Sequence, residues 1–308
     1  MDNPEQFFFR EEKLSRISKE YWFNHFISLD GRQIFIMFGH VKKRNLKLNK
    51  VKMEKEDMPW VVSIWYLDKK KIIIPVENCS ISFEKKKILG KNTSVEFEIS
   101  GEYPDFSIII KKGRSIIINL KTGENKIKVK KELKKVEKFG AGYKVNNLFL
   151  DFKGVLAGKE INGLGLMQKV FLNIPFVPWN WLFINLNDNS FIEGFLPYFS
   201  ILKRKKTIRQ SIRFVSENKI IQCKKVNFEK KDGVYFINSR DKNKTISIIL
   251  KPYGDNSYYF EGLGNFTYNQ FLCRLVDLQI STNNLNLTLK DLKKGAVGMV
   301  EETEGIMI

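Results

Sequence analysis

The densest group of aromatic side chains with polar edges lies in the C-terminal half of the chain. Trp179, Trp181 and Phe183 alternate along a predicted strand, so their side chains share one face. A turn at residues 187–190 then reverses the chain into a second apolar strand that carries Glu193. Two tryptophans at this spacing form a wide apolar wall with N–H groups at its edge. Such a wall suits either a plain core or the lining of a pocket for a large apolar molecule.

The position of Glu193 relative to this wall depends on the length of the turn. A four-residue turn at residues 187–190 pairs Glu193 with Ile184, on the face opposite Trp179 and Trp181. Glu193 is therefore not expected to line the same cavity as the tryptophans.

The two histidines of the chain both fall in a predicted hairpin near the N-terminus. A two-residue loop at Asp30 and Gly31 pairs Tyr21 with His40 and places both histidines on one largely apolar face. Their expected separation is on the order of 13 Å, at about 3.3 Å per residue, which is too far to share a metal ion. No metal site or cofactor is expected, and His25 is either a structural histidine or a proton carrier.

The net charge is +19, from 53 lysines and arginines against 34 aspartates and glutamates. Basic runs recur along the whole chain, and none lies beside a helix-turn-helix, zinc-finger or RNA-binding sheet motif. The best explanation of this positive charge is a set of solvated lysines that reflect compositional drift. Peripheral contact with an anionic membrane is the next alternative, and nucleic-acid binding is the least favoured.

Short alternating segments separated by turn signals dominate the 308 residues, which predicts an all-β sandwich or barrel protein. No apolar stretch approaches the roughly 18 residues of a membrane helix. The N-terminus shows no secretory signal, and three scattered cysteines fit a reducing compartment. A cytoplasmic location is therefore expected, with the membrane-peripheral alternative left open.

Four short segments, in order, carry a resemblance to a known family. They are Glu20-Tyr21-Trp22-Phe23 with the Asp30-Gly31 turn, residues 163–168 leading into Trp179 and Trp181, Tyr258-Tyr259-Phe260-Glu261-Gly262, and residues 298–305. They resemble the E-W-W-Y hairpin, the D-H-Q-W-G segment with its W-x-W strand, the Y-W-E-G segment and the closing G-Y-V-E-x-T-G of the carotenoid hydratase (hydroxyneurosporene synthase) family. The resemblance implies two lipocalin-like antiparallel β-barrel domains, here residues 1–174 and 175–308.

The chain departs from the family pattern where an acid–base pair would stand. Aligned on Gln168, it has Leu166, Met167 and Lys169 where the pattern has Asp, His and Trp. Another group must then supply a proton, and the predicted candidates are His25 and Glu261. Glu261 has a structural alternative, as an acceptor at a strand end. Glu20 and Glu301 are expected to fix barrel ends.

The resulting prediction is a protein that binds a large apolar small molecule, an isoprenoid or other lipid-like ligand, within or between two β-barrels. The residues predicted to line the pocket are Tyr21, Trp22, Met167, Trp179, Trp181 and Tyr259. The alternative is a hydratase or cyclase that acts on an isoprenoid or polyene by acid catalysis. A basic β-barrel that binds nucleic acid is a less favoured third possibility.

Overall fold

The computed structural model consists almost entirely of antiparallel strands. It describes residues 7–8, 18–28, 30–41, 47–52, 60–65, 71–77, 80–91, 95–138, 141–175, 177–186, 189–201, 204–207, 210–262, 264–292 and 295–307. The strands before residue 174 are β1 (Lys19–Ser28), β2 (Gln33–Val41), β3 (Lys47–Leu48), β4 (Val51–Lys52), β5 (Trp60–Trp65), β6 (Lys71–Glu77), β7 (Ser80–Glu84), β8 (Lys87–Lys91), β9 (Val95–Glu102), β10 (Asp105–Lys112), β11 (Ser115–Glu124), β12 (Lys131–Lys138), β13 (Ala141–Leu156) and β14 (Lys159–Asn173).

The strands after residue 174 are β15 (Trp179–Asn185), β16 (Phe191–Ile201), β17 (Arg204–Thr207), β18 (Ser211–Val215), β19 (Ile220–Cys223), β20 (Val226–Lys231), β21 (Val234–Asp241), β22 (Lys244–Gly262), β23 (Gly264–Thr282), β24 (Leu285–Thr288) and β25 (Val297–Met307), with a 3-10 turn at Leu289–Asp291. The predicted all-β class is confirmed. Within the described ranges, no helix is long and apolar enough to cross a membrane.

The strands form two large sheets. The first has the order β6-β5-β2-β1-β14-β13-β11-β10-β9-β8-β7, with β12 paired to β13. It curls on itself, because Phe83 of β7 reaches Trp22 of β1 with ring centroids 4.8 Å apart. The second has the order β19-β18-β16-β15-β25-β23-β22-β21-β20, and the small β3–β4 hairpin adds to it through β22. The division into domains 1–174 and 175–308 stays a prediction.

The described residues form three apolar clusters, one inside each curled sheet and one between the sheets. The third cluster, which we call the aromatic layer, consists of Phe23, Phe35, Phe149, Leu166, Trp181, Phe183, Phe191, Tyr258, Phe266, Tyr268, Leu272 and Met299 with their smaller neighbours. Phe23 meets Trp181 edge to face with ring centroids 5.4 Å apart. Phe149 stacks on Phe191 at 4.7 Å. The aromatic layer thus joins β1 and β13 of the first sheet to β15 and β16 of the second.

The first hairpin differs from the predicted one by a single residue. Ser28 N donates to Arg32 O over 2.9 Å, so three residues rather than two form the loop. Gly31, at φ 89°, takes the left-handed conformation that closes such a loop. His25 therefore pairs with Phe35, and His40 pairs with Glu20. The predicted pairing of His40 with Tyr21 was wrong by one residue, and since a one-residue change in register reverses the face of a strand, the reasoning that put both histidines on one face does not hold. The side chain of His40 lies outside the described residues.

The tryptophan hairpin shows the same one-residue difference. Leu186 N donates to Ser190 O over 3.0 Å, and Asn189 takes the left-handed conformation at φ 57°. The remaining turn residues, 187 and 188, lie outside the described residues. Glu193 consequently pairs with Phe183 rather than Ile184. The prediction that Glu193 lies opposite the tryptophan face was wrong, since it lies on that face.

Glu193 on this face belongs to an ion cluster that bridges the two sheets. Arg213 of β18 donates from Nη1 and Nη2 to both carboxylate oxygens of Glu132 on β12, over 2.8 and 2.7 Å. Its Nε donates to Glu193 over 2.8 Å. The guanidinium lies 6.0 Å from the ring centroids of Phe149 and Phe191. One arginine therefore holds a carboxylate from each sheet at the edge of the aromatic layer.

Replacing Arg213 with methionine should destabilise the protein by about 3 kcal/mol, because the buried carboxylate of Glu193 and the partly buried carboxylate of Glu132 are left with Lys134, at 3.6 and 3.1 Å, as their cationic partner among the described residues. Urea unfolding at neutral pH measures this loss, and Arg240→Met at an exposed site is the control. Adding Glu132→Gln and Glu193→Gln to Arg213→Met should recover most of the stability. Equal losses for Arg213→Met and Arg240→Met would contradict the bridging role.

Candidate functional site

A carboxyl group is buried at the edge of the aromatic layer. Glu301 of β25 pairs with Trp181 of β15 on one side and with Gln270 of β23 on the other, and only 5% of it is exposed. Strand alternation directs Met299, Glu301 and Thr303 to the same face, and all three are buried. The sheet thus directs an acid inward, at the edge of the aromatic layer.

Within the described part of the chain, the hydrogen bonds to Glu301 come from neutral groups. Tyr268 Oη donates to Oε1 over 2.5 Å, and Trp179 Nε1 donates to Oε2 over 3.1 Å. Gln270 Nε2 in turn donates to Tyr268 Oη over 3.0 Å. Burial raises the pKa of Glu301 to about 7, although the hydrogen bonds from Tyr268 and Trp179 oppose that rise. Glu301 can therefore both hold and release a proton near neutral pH.

Tyr21 of β1, in the first sheet, lies close to Glu301 and Tyr268. Burial raises the pKa of the Tyr21 hydroxyl, and the negative charge of Glu301 raises it further, so this phenol stays protonated. We use the name Glu301 site for Tyr21, Trp179, Tyr268, Gln270 and Glu301. Both sheets contribute to the site.

The wall of the Glu301 site is aromatic and reaches the surface. Trp179 lies with its ring centroid 5.4 Å from that of Phe266 and 6.2 Å from that of Tyr268. Trp179 and Tyr21 are only partly buried, and Phe195, which pairs with Trp181, is 39% exposed. The rings therefore run from the buried carboxyl out to solvent.

His25, the first predicted proton donor, is fully buried in a neutral network. Its Nε2 lies 2.7 Å from Gln33 Oε1, while Gln33 Nε2 donates to Gly298 O over 2.9 Å and to Tyr253 Oη over 2.5 Å. Since a carbonyl only accepts, Gln33 must present its oxygen to His25, so Nε2 carries the histidine proton. Burial lowers the pKa of His25 to about 4, despite the bond to Gln33. At neutral pH the imidazole of His25 is uncharged, and its one N–H group donates its hydrogen bond to Gln33 Oε1.

Glu261, the second predicted proton donor, lies at the surface. Its side chain is 36% exposed and pairs with Lys47 at 3.3 Å. Tyr259 is also 36% exposed, and its neighbour Tyr258 is the residue that enters the aromatic layer. The structure does not bring Glu261 or Tyr259 into the Glu301 site.

Trp22 and Met167 lie inside the first sheet, on the face away from the aromatic layer. Trp22 Nε1 donates to Phe7 O over 2.7 Å, as buried indoles generally find an acceptor. Nearby, Lys169 pairs with the buried Glu20 at 2.9 Å. Of the six residues predicted to line a pocket, the structure brings Tyr21, Trp179 and Trp181 together at the layer and leaves Trp22, Met167 and Tyr259 elsewhere.

Two open clefts lie apart from the Glu301 site. A cleft of about 820 Å³ borders Asp30, Arg32, Lys121, Lys153 and Glu160. A second, of about 550 Å³, borders Gln210, Lys225, Asn238 and Arg240. No aromatic residue in the described part of the chain lines either cleft, so neither matches the aromatic lining expected for an apolar ligand.

Comparison with known proteins relates the chain to solved structures only, since no family model and no curated protein sequence matches it. The crystal structure of CghA with Sch210972 is 10% identical over 95% of this chain and 90% of CghA, with a TM-score of 0.57. CghA without that compound gives 11% identity, the same coverage and the same TM-score. A candidate AttH protein from Nitrosomonas europaea (11% identity, 98% and 96% coverage, TM-score 0.45) and kievitone hydratase from Nectria haematococca (10%, 96% and 91%, 0.40) are more distant.

The likeness to CghA extends over nearly the full length of both chains. The predicted fold of two lipocalin-like β-barrels is thereby confirmed. The chain is a two-barrel protein of this class, with a buried carboxyl where the barrels meet.

The raised pKa of Glu301 should make the stability of the protein depend on pH. An acid with a raised folded-state pKa destabilises the fold once it ionises, so stability should fall as pH rises from 4.5, the ordinary value, through about 7. The loss should be on the order of 3 kcal/mol. Glu301→Gln should remove this dependence, and Glu304→Gln on the exposed side of β25 should keep it.

Urea unfolding of the three proteins at several pH values measures the effect. Parallel stability curves for the wild type and Glu301→Gln would show that Glu301 has an ordinary pKa.

Proposed function

We propose that the protein binds a neutral, largely apolar small molecule at the Glu301 site, between its two β-barrels. The observation that carries this proposal is the burial of the Glu301 carboxyl among rings from both barrels, with Trp179 and Tyr21 partly open to solvent. An apolar lining with a few convergent polar groups is the usual composition of a small-molecule site. A ligand bound at this site covers the partly exposed rings of Trp179 and Tyr21.

The chemistry of the site limits the ligand. Aromatic rings supply most of the wall, so an isoprenoid or other lipid-like body fits better than a sugar or a nucleotide. A carboxyl that is partly ionised near neutral pH disfavours an anionic ligand. The presence of Sch210972 in a CghA structure supports the use of this fold to hold a small molecule.

The same proposal includes the location of the protein, in the cytoplasm and in contact with a membrane surface. A cytoplasmic location with peripheral contact to anionic membrane would bring the protein to lipid-like ligands, and the net charge of +19 favours such contact.

Glu301 also supports a second candidate function, the acid-catalysed hydration or cyclisation of the bound molecule. A general acid works best when its pKa lies near the ambient pH, and that of Glu301 is about 7. Glu301 would give its proton to one carbon of an alkene. The resulting cation would be captured by water or by a second double bond, and loss of a proton would restore the acid.

The binding proposal predicts that Trp179→Ala weakens the uptake of retinol at least tenfold, because a large part of the apolar wall is lost. Tyr259→Ala, an aromatic substitution outside the site, should change affinity less than about twofold. Fluorescence titration measures both. If Tyr259→Ala weakens binding as much as Trp179→Ala, the ligand lies elsewhere.

Glu301→Gln separates a binder from an enzyme. The substitution keeps the shape of the site and removes the acid, so retinol uptake should persist while any turnover of isoprenoids from a host extract stops. Glu304→Gln serves as the control. Turnover that survives in Glu301→Gln would assign the acid to another residue.

A further inference from the structure

The Glu301 site contains a buried hydrogen-bond acceptor that nothing in the described part of the chain satisfies. Gln270 is 1% exposed, and its Oε1 has no hydrogen-bond partner among the described residues. Buried side-chain acceptors nearly always have a donor, so such an exception needs an explanation. Bound ligands are one source of the missing donor.

The orientation of Gln270 follows from its neighbours. When Glu301 is ionised, its carboxylate only accepts, so Tyr268 uses its only proton to donate to Glu301 over 2.5 Å and the Tyr268 oxygen accepts from its other neighbours. Gln270 must therefore present Nε2 to Tyr268, which it does over 3.0 Å. Its carbonyl oxygen is then the end that points away from Tyr268 and lacks a donor.

A second buried acceptor beside the aromatic layer, Nδ1 of His25, also lacks a donor among the described residues. His25 carries its proton on Nε2, which is bound to Gln33, so Nδ1 presents a lone pair. This nitrogen is buried and has no partner within the described ranges. The His25 ring lies with its centroid 6.2 Å from that of Phe183 of the layer. Both unpaired atoms are acceptors, so a molecule that completes them must bring donors.

We propose that the ligand of the Glu301 site is an apolar molecule with a hydroxyl or N–H group, which donates a hydrogen bond to Gln270 Oε1. This inference rests on the proposed function and narrows it. The aromatic wall binds the apolar body, and Gln270 selects the polar end. A hydrocarbon or an ether of the same shape leaves Gln270 Oε1 without a donor and therefore binds more weakly than the alcohol.

The test compares retinol with retinyl methyl ether, which has the same apolar body and no hydroxyl proton. The wild-type protein should bind retinol roughly tenfold more tightly than the ether. Gln270→Met, which keeps the length of the side chain and removes the acceptor, should reduce this preference to about onefold while the ether still binds. Gln279→Met, at an exposed position of the same strand, should keep the full preference.

The outcomes separate the inference from the function it depends on. Equal affinity of the wild-type protein for retinol and its ether overturns the inference and leaves the binding site intact. Failure of both compounds to bind overturns the proposed function and the inference with it. A preference that persists in Gln270→Met, with the fold verified by circular dichroism, also overturns the assignment to Gln270. If Gln270→Met does not fold, equal affinity of the wild-type protein for the two compounds still overturns the inference.

Discussion

The aromatic layer between the two curled sheets is the contact on which the structure depends. Each barrel already has its own apolar interior, so the strands at the layer must bury both faces. All ten residues of β1 but Tyr21 are buried, and β15 is buried from Trp181 to its end. Burial of this many rings stabilises the pair of barrels strongly, since apolar burial yields about 25 cal/mol per Å². The same burial makes every polar group in the layer costly unless it has a partner.

Three groups of polar side chains in or beside the layer obtain partners in different ways. Arg213 and Lys134 each pair with a carboxylate from both sheets, so two positive charges meet two negative ones. Gln33 ties the neutral His25 to the backbone of β25 through Gly298. Among the described residues, Glu301 has only neutral donors, and burial is the largest influence on its pKa. Of the three groups, only the Glu301 carboxyl has a pKa of about 7, so it can take up or release a proton near neutral pH. This property distinguishes the Glu301 site from the other two arrangements.

Much of the fold could be predicted from the sequence, because alternation and turn signals act locally. The all-β class followed from them, and the two-barrel fold followed from four short segments in order. The faces of two hairpins could not be predicted in this way. Asp30-Gly31 suits a two-residue loop, yet the chain uses three residues with Gly31 in the left-handed conformation. A strand that buries both faces offers no polar face to reveal the register.

The candidate site was harder to predict than the fold. Trp179, Trp181 and Tyr21 were identified from their types and spacing, whereas Glu301 was expected only to fix a barrel end. Its importance depends on Tyr268 and Gln270, which lie on another strand and become neighbours only through the pairing of β23 with β25. One local signal was available: Glu301 shares the buried face of its strand with Met299 and Thr303. An inward carboxyl between buried residues marks a position where burial perturbs a pKa.

Photo-cross-linking with a retinol analogue that carries a diazirine tests most directly whether the ligand lies between the barrels. Residue-level mapping by mass spectrometry should find the label on Tyr21, Trp179 or Tyr268, on strands of both sheets. Label on Trp22 and Ile108 within the first barrel, or on Tyr235 and Ile248 within the second, would contradict the account, because those side chains are buried in the separate cores.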